Sequence, residues 1–229
     1  MEIRVASLLE GAQSAEGVVV IVDVFRAFTT ESIAFSRGAE KIVLVAEVAE
    51  ALALRDKGVG QYCVGEVGGM RPEGFDFNNS PSQMAEADLA GKTLIHSTRA
   101  GTVGMSAVKS FTRLYGGSLV GAKATTQAIL RDSPELVTIV AMGAEAKVRA
   151  DEDEQCALYL RNLLQGREPD TKAVRDLVLA GSEAQKYGDP ARPHFPLSDR
   201  DTALRINSIP FAIRVQREDG LLMARPEKP

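Results

Sequence analysis

The chain alternates between short unbroken apolar runs and longer stretches that mix apolar with charged residues. The run Val18-Val-Val-Ile-Val22, closed by Asp23, predicts a strand buried on both faces, as strands of parallel sheets are. Thr29 to Arg37 predicts a helix stopped by Gly38, and Lys41 to Val45 the next strand. Glu47 to Lys57 is rich in alanine and leucine and predicts a helix closed by Gly58; Gln61 to Val67 returns to strand. Gly68 to Pro81 breaks this rhythm with Gly-Gly, two prolines and Asn-Asn-Ser-Pro, which predicts a long loop, and Ser80 is placed to cap a short helix with Pro81 at its first position. The alternation resumes with strands at Lys92 to Ser97, Leu114 to Leu119 and Leu136 to Met142. Helices are predicted at Thr102 to Ser110, Thr125 to Arg131, Asp151 to Leu164 and Thr171 to Leu179. In the tail, Pro190 to Pro196 is a loop and Asp199 to Leu204 a short helix. Pro210 to Gln216 and Leu221 to Ala224 flank Glu218-Asp219-Gly220, the signal of a hairpin.

Repeated strand–helix units predict an α/β fold: a mainly parallel sheet flanked by helices on both faces in three layers, with a C-terminal β-hairpin. The expectation is one unit of 229 residues, with a division into subdomains at about 1–120 and 121–229 left open. Ligands of such sheets bind beyond the carboxyl ends of the strands, so the residues just after each strand are the ones to inspect.

Composition narrows the function. With a hydrophobic fraction of 45%, a chain this long can bury a core without a disulfide or a structural metal. A net charge of -4 with no basic run leaves no footprint for nucleic acid. Met1 to Glu10 carries both charge signs and no long apolar centre, no apolar stretch approaches the ~20 residues of a membrane span, and the two cysteines, Cys63 and Cys156, do not form an oxidised scaffold. The expected setting is the cytoplasm, away from membrane and nucleic acid, with homo-oligomerisation left open.

The strand ends carry two kinds of chemistry. Asp23, Arg26, Thr29 and Thr30 follow the first strand; Glu66, Arg71, Asp76, Asn78 and Asn79 follow the third; Ser97, Thr98, Arg99, Gly101 and Thr102 follow the fourth; Gly143, Glu145 and the acidic set Asp151 to Asp153 follow the last. Carboxylates and Asn side chains are hard oxygen ligands suited to magnesium. Arginines and helix N-termini suit phosphate or sulfonate oxygens. Each group also has a plain structural use. Asp23, Thr29 and Thr30 can serve as caps, Arg26 as a solvated side chain, Asn78 to Pro81 and Ser97 to Thr102 as turns, and Asp151 to Glu154 as partners of a helix dipole. His96, Cys63 and Cys156 are expected in structural roles. Several known phosphatase and kinase signatures are absent. Neither cysteine has an arginine at cysteine-phosphatase spacing, Asp23-Val-Phe lacks a second acid, and no P-loop spacing occurs.

Four segments nevertheless resemble the 2-phosphosulfolactate phosphatases in order. They are Asp23-Val-Phe-Arg-Ala-Phe-Thr-Thr30; Gly65-Glu66 with Gly74-Phe-Asp-Phe-Asn-Asn-Ser-Pro81; Gly91-Lys-Thr-Leu-Ile95 with Ser97 to Thr102; and Glu152-Asp153 with Cys156-Ala157. The resemblance implies a magnesium-dependent phosphatase with an α/β fold, acting on 2-phospho-3-sulfolactate or a similar small anionic phosphate ester. On this reading Glu66, Asp76, Glu152 and Asp153 are the candidate Mg2+ ligands and Arg26, Thr29, Thr30, Asn79, Thr98, Arg99 and Gly101 the candidate groups around the anion, with Arg26 and Asp23 catalytic. Asp23 is a nucleophile, a general base or a further metal ligand. The chain departs from the family pattern at Phe28, Asn78 and the Arg99-Ala100 pair. That last change leaves open a different phosphorylated metabolite, or a protein that binds such a metabolite without turning it over.

Overall fold

The computed structural model describes all 229 residues as ten strands and nine α-helices. β1 (Glu2–Ser7) and α1 (Leu8–Gln13) open the chain, followed by β2 (Val18–Val22), α2 (Ala27–Ser36), β3 (Lys41–Val45), α3 (Val48–Asp56) and β4 (Tyr62–Gly65). Then come β5 (Phe77–Asn78), α4 (Pro81–Glu86), β6 (Thr93–Ser97), α5 (Gly101–Ala107), β7 (Arg113–Gly117), α6 (Ala122–Leu130) and β8 (Leu136–Ala141). The chain ends in α7 (Asp151–Leu164), α8 (Thr171–Ala180), α9 (Leu197–Ala203), β9 (Ala212–Glu218) and β10 (Leu221–Glu227).

All ten strands join one sheet in the order β1-β8-β2-β7-β9-β10-β3-β6-β4-β5. Six of its nine neighbouring pairs are parallel, so the sheet is mostly parallel as expected. The three antiparallel pairs are β7/β9, β9/β10 and β10/β3. They stand together in the middle and invert the strand direction, so the sheet consists of two parallel blocks of four strands running in opposite senses. The predicted C-terminal hairpin is the device that joins them. Its turn residues Asp219 and Gly220 both have positive φ (49° and 82°), the backbone that a two-residue hairpin loop requires.

Successive β2 residues feed different cores. Val19 and Ile21 pack with Phe28, Phe35, Met84 and Met105 of α2, α4 and α5. Val18, Val20 and Val22 pack with Ile129 and Leu160 of α6 and α7. A smaller cluster sets Ala51 of α3 against Val43, Cys63 and Ile95. Burial on both faces explains the unbroken apolar run of β2.

β1, α1 and β5 were not among the predicted elements. The period-2 pattern Ile3, Val5 runs under Glu2 and Arg4 at the start of the chain, and β5 is a two-residue strand inside the expected long loop. No helix is long and apolar enough to cross a membrane.

Candidate active site

The two opposed blocks meet at one cavity of about 360 Å³. Twist of roughly 20–25° per strand pair accumulates to about 100–125° over the five steps from β2 to β6. Loops from opposed blocks can therefore face one mouth. Asp23, Arg26, Glu66, Asn79, Arg99, Glu152 and Asp153 all line the cavity.

Two carboxylates tie the wall together through backbone amides. Asp153, in the first turn of α7, accepts the Val24 amide on Oδ1 (2.7 Å) and the Gly143 amide on Oδ2 (2.8 Å), joining the ends of β2 and β8. Glu66 accepts the Arg99 amide on Oε1 (2.8 Å) and the Gly69 amide on Oε2 (2.7 Å), joining the loops after β6 and β4. Asp23 lies at the centre. Its Oδ1 accepts the Ala27 amide (3.0 Å), and Gly101 packs so closely that a Cβ there would stand 2.9 Å from Oδ2 and 2.7 Å from the Ala27 methyl. Glycine at 101 is thus required by the approach of α5 to Asp23.

Burial and like charge raise the proton affinity of this cluster. Burial pushes the Asp23 carboxyl up to about 6, helped by the Glu66 charge and opposed by the amides of Ala27 and Gly101. Burial pushes Glu152 up to about 8, with the charges of Glu183 and Asp23 acting in the same direction. Burial, then the charges of Glu152 and Asp23, hold Asp153 well above the usual carboxylate range.

Arg26 is almost fully buried. Its Nη1 donates to the His194 carbonyl (3.0 Å) and to Asp199 Oδ2 (3.0 Å), and its Nη2 donates to the Gly69 carbonyl (3.2 Å). The guanidinium also lies 5.0 Å from the Phe195 ring centroid. Arg99 is more open, with only a 3.6 Å approach to Glu47.

The other residues singled out from sequence sit elsewhere. Thr29 Oγ1 donates to the Val24 carbonyl (2.8 Å), and Thr30 Oγ1 is buried without a partner. The Thr98 amide donates to Thr102 Oγ1 (2.8 Å) and the Thr102 amide to Thr98 Oγ1 (3.1 Å), which closes the turn into α5. Asp76 is away from the cavity, pairing with Arg55 (3.2 Å) and accepting the Cys63 amide (2.8 Å). His96 pairs with Glu31 (2.8 Å) inside the core, and both cysteines are buried and free. The cavity also takes in Gly143 and Glu145, which the sequence placed after the last strand, and it recruits residues that sequence reasoning passed over: Ala144 after β8, and Glu183, Lys186, Arg192, His194 and Phe195 from the segment before α9. The proline-rich stretch has no helical or strand period that could have flagged them.

Fold and cavity define the class first: a mixed α/β protein with a small, enzyme-like cavity where carboxylates and guanidinium groups meet. A sequence model of the 2-phosphosulpholactate phosphatase family matches residues 4–194. A Bacillus subtilis (strain 168) protein named probable 2-phosphosulfolactate phosphatase is 32% identical over 204 residues, covering 88% of this chain and 87% of its own. A protein of the same name from Carboxydothermus hydrogenoformans is 37% identical over 165 residues, covering 72% and 68%. A third, from Thermoplasma acidophilum, is 34% identical over 169 residues, covering 71% and 75%. The chain belongs to the 2-phosphosulfolactate phosphatase family.

Proposed function

We propose that this protein hydrolyses the phosphate ester of a small anionic acid, 2-phospho-3-sulfolactate or a close analogue, with magnesium as cofactor. The observation that carries the reading is the meeting of Asp23, Glu152 and Asp153 with Arg26 and Arg99 in one small cavity, in a chain of this family. No three carboxylate, imidazole or thiol groups form a ready-made metal cage. The fit to magnesium is one of chemistry: hard oxygen donors, mutual repulsion among buried acids, and a Glu152 carboxylate that no side chain or amide of another residue engages. Glu152 and Asp153 would hold the ion. When bound, it would supply positive charge to the phosphate oxygens and keep the surrounding carboxylates ionised.

The chain's own groups do the rest. Asp23, buried at the centre of the cavity, takes a proton from the attacking water. Arg26 offers the reacting phosphate the N–H groups it does not spend on the protein. Arg99, at the mouth, meets the second acidic group of the substrate. The purified protein with magnesium should release phosphate from 2-phospho-3-sulfolactate in preference to phosphomonoesters that carry no second anionic group. Absence of release from any member of a panel of phosphorylated small acids would end this reading.

A further inference from the structure

We propose that Asp199 is a positioning residue that acts through Arg26, holding its guanidinium so that the remaining donors face the phosphate. This rests on the phosphatase reading above. Asp199 is wholly buried, lies outside the residues matched by the family model and does not line the cavity. It divides its carboxylate between two tasks. Oδ1 accepts from Ser80 Oγ (2.8 Å), the Ser82 amide (2.9 Å) and Ser82 Oγ (2.6 Å), which holds the start of α4 just after Asn79 in the cavity wall. Oδ2 faces Arg26 Nη1 alone (3.0 Å).

A guanidinium has five N–H donors. Three of those on Arg26 are bound, to Asp199, the His194 carbonyl and the Gly69 carbonyl. Two are left for a ligand. The cavity also holds the carboxyl groups of Asp23, Glu152 and Asp153, hydrogen-bond acceptors that would capture a loose arginine. The two carbonyls carry no net charge to oppose that pull. Asp199 does, from the side away from the cavity. It therefore keeps Arg26 pointing at the phosphate while leaving the carboxylates free for their own task.

The test is a four-member cycle: wild type, Arg26→Met, Asp199→Asn and Arg26→Met/Asp199→Asn. Asp199→Asn keeps an oxygen for Ser80 and Ser82 but turns an amide donor toward Arg26. Activity is measured far below each melting temperature, on protein shown folded by circular dichroism. Asp199→Asn should lower kcat/KM roughly ten- to a hundredfold, the size of a charge-assisted contact, and should lower the melting temperature. In the Arg26→Met background the same change should cost no further activity, and the double variant should melt above Asp199→Asn, because no buried charge is stranded. Additive losses, or an Asp199→Asn enzyme within twofold of wild type, would overturn the proposal. The cycle is also read by titration calorimetry with inorganic phosphate. If wild type hydrolyses nothing but Asp199→Asn weakens phosphate binding tenfold and costs nothing further in the Arg26→Met background, the phosphatase reading falls and the positioning role stands. Unchanged phosphate binding across the cycle would overturn the positioning role.

Discussion

Asp23 owes its chemistry to burial. The strand β2 carries it to the meeting point of two helix starts, where burial, helped by the charge of Glu66, raises its proton affinity to about 6. Under the proposed role as base for water, its replacement by Asn should cut kcat at least ~100-fold. The melting temperature should hold or rise, because a charge that burial penalises has gone; calorimetry and steady-state kinetics on one preparation check both. Arg99 makes the contrasting case. Its side chain is only loosely engaged, with a surface approach to Glu47, so Arg99→Thr should leave stability within about 0.5 kcal/mol. It should raise KM roughly ten- to a hundredfold for a substrate with a second anionic group, with kcat little changed. An equal loss on a phosphomonoester without that second charge would instead place Arg99 at the reacting phosphate. Residues such as Asp23, Glu66 and Arg99 were legible because they end a strand or open a helix. Asp199 and Lys186 were not, since only the folded path of the tail brings Lys186 to the cavity and Asp199 to Arg26. Asp76 shows the reverse: it sits in a motif-like loop, yet its carboxylate serves Arg55 and the Cys63 amide.

At the level of elements, the alternation of apolar runs and helical stretches was enough to place most strands, but not their directions. A parallel strand buried on both faces reads the same whichever way its block runs. The inversion comes from β9 and β10, which lie between β7 and β3 although they are last in the chain. Such long-range pairing leaves no local signal beyond the turn itself. The missed β5 has two residues, too few for any period, whereas β1 shows the alternation of a half-buried strand once its partner β8 is known. The position of the hairpin has a direct consequence. β10 alone pairs with both β9 and β3, and Leu222 and Ala224 reach the large core cluster. A chain ending at Gly220 would leave two open strand edges and two half-sheets without a joint. It should be insoluble or lack a cooperative thermal transition. A soluble truncated protein with a single sharp transition would show that the two blocks are held together by helix packing alone.

The whole molecule sets buried acid repulsion against folding, and pH is the lever on that balance. An ordinary carboxyl titrates near 4 in the unfolded chain. In the fold, Asp23 is raised to about 6 and Glu152 to about 8. The folded state therefore binds protons more tightly than the unfolded state. The contribution of these groups is fullest below pH 4 and is lost as pH rises through 6 toward 8. Without a divalent ion, the protein should thus melt at a lower temperature at pH 8 than at pH 5.5. Magnesium bound as proposed would compete with protons for the same oxygens, so its stabilising effect should run the other way. A ligand at a hundredfold excess over its dissociation constant stabilises by about 2.7 kcal/mol. That gain should be near its full size at pH 8 and should shrink at pH 5.5, where protons occupy the site. Thermal melts at the two pH values, with magnesium and with chelator, measure the difference directly and do not depend on finding the substrate. Glu152→Gln makes the assignment local: it should flatten the pH slope in chelator and remove most of the magnesium gain at pH 8. A magnesium gain of equal size at both pH values, or one that survives in Glu152→Gln, would move the ion away from this cluster. The carboxylates would then be left to act as acids and bases alone.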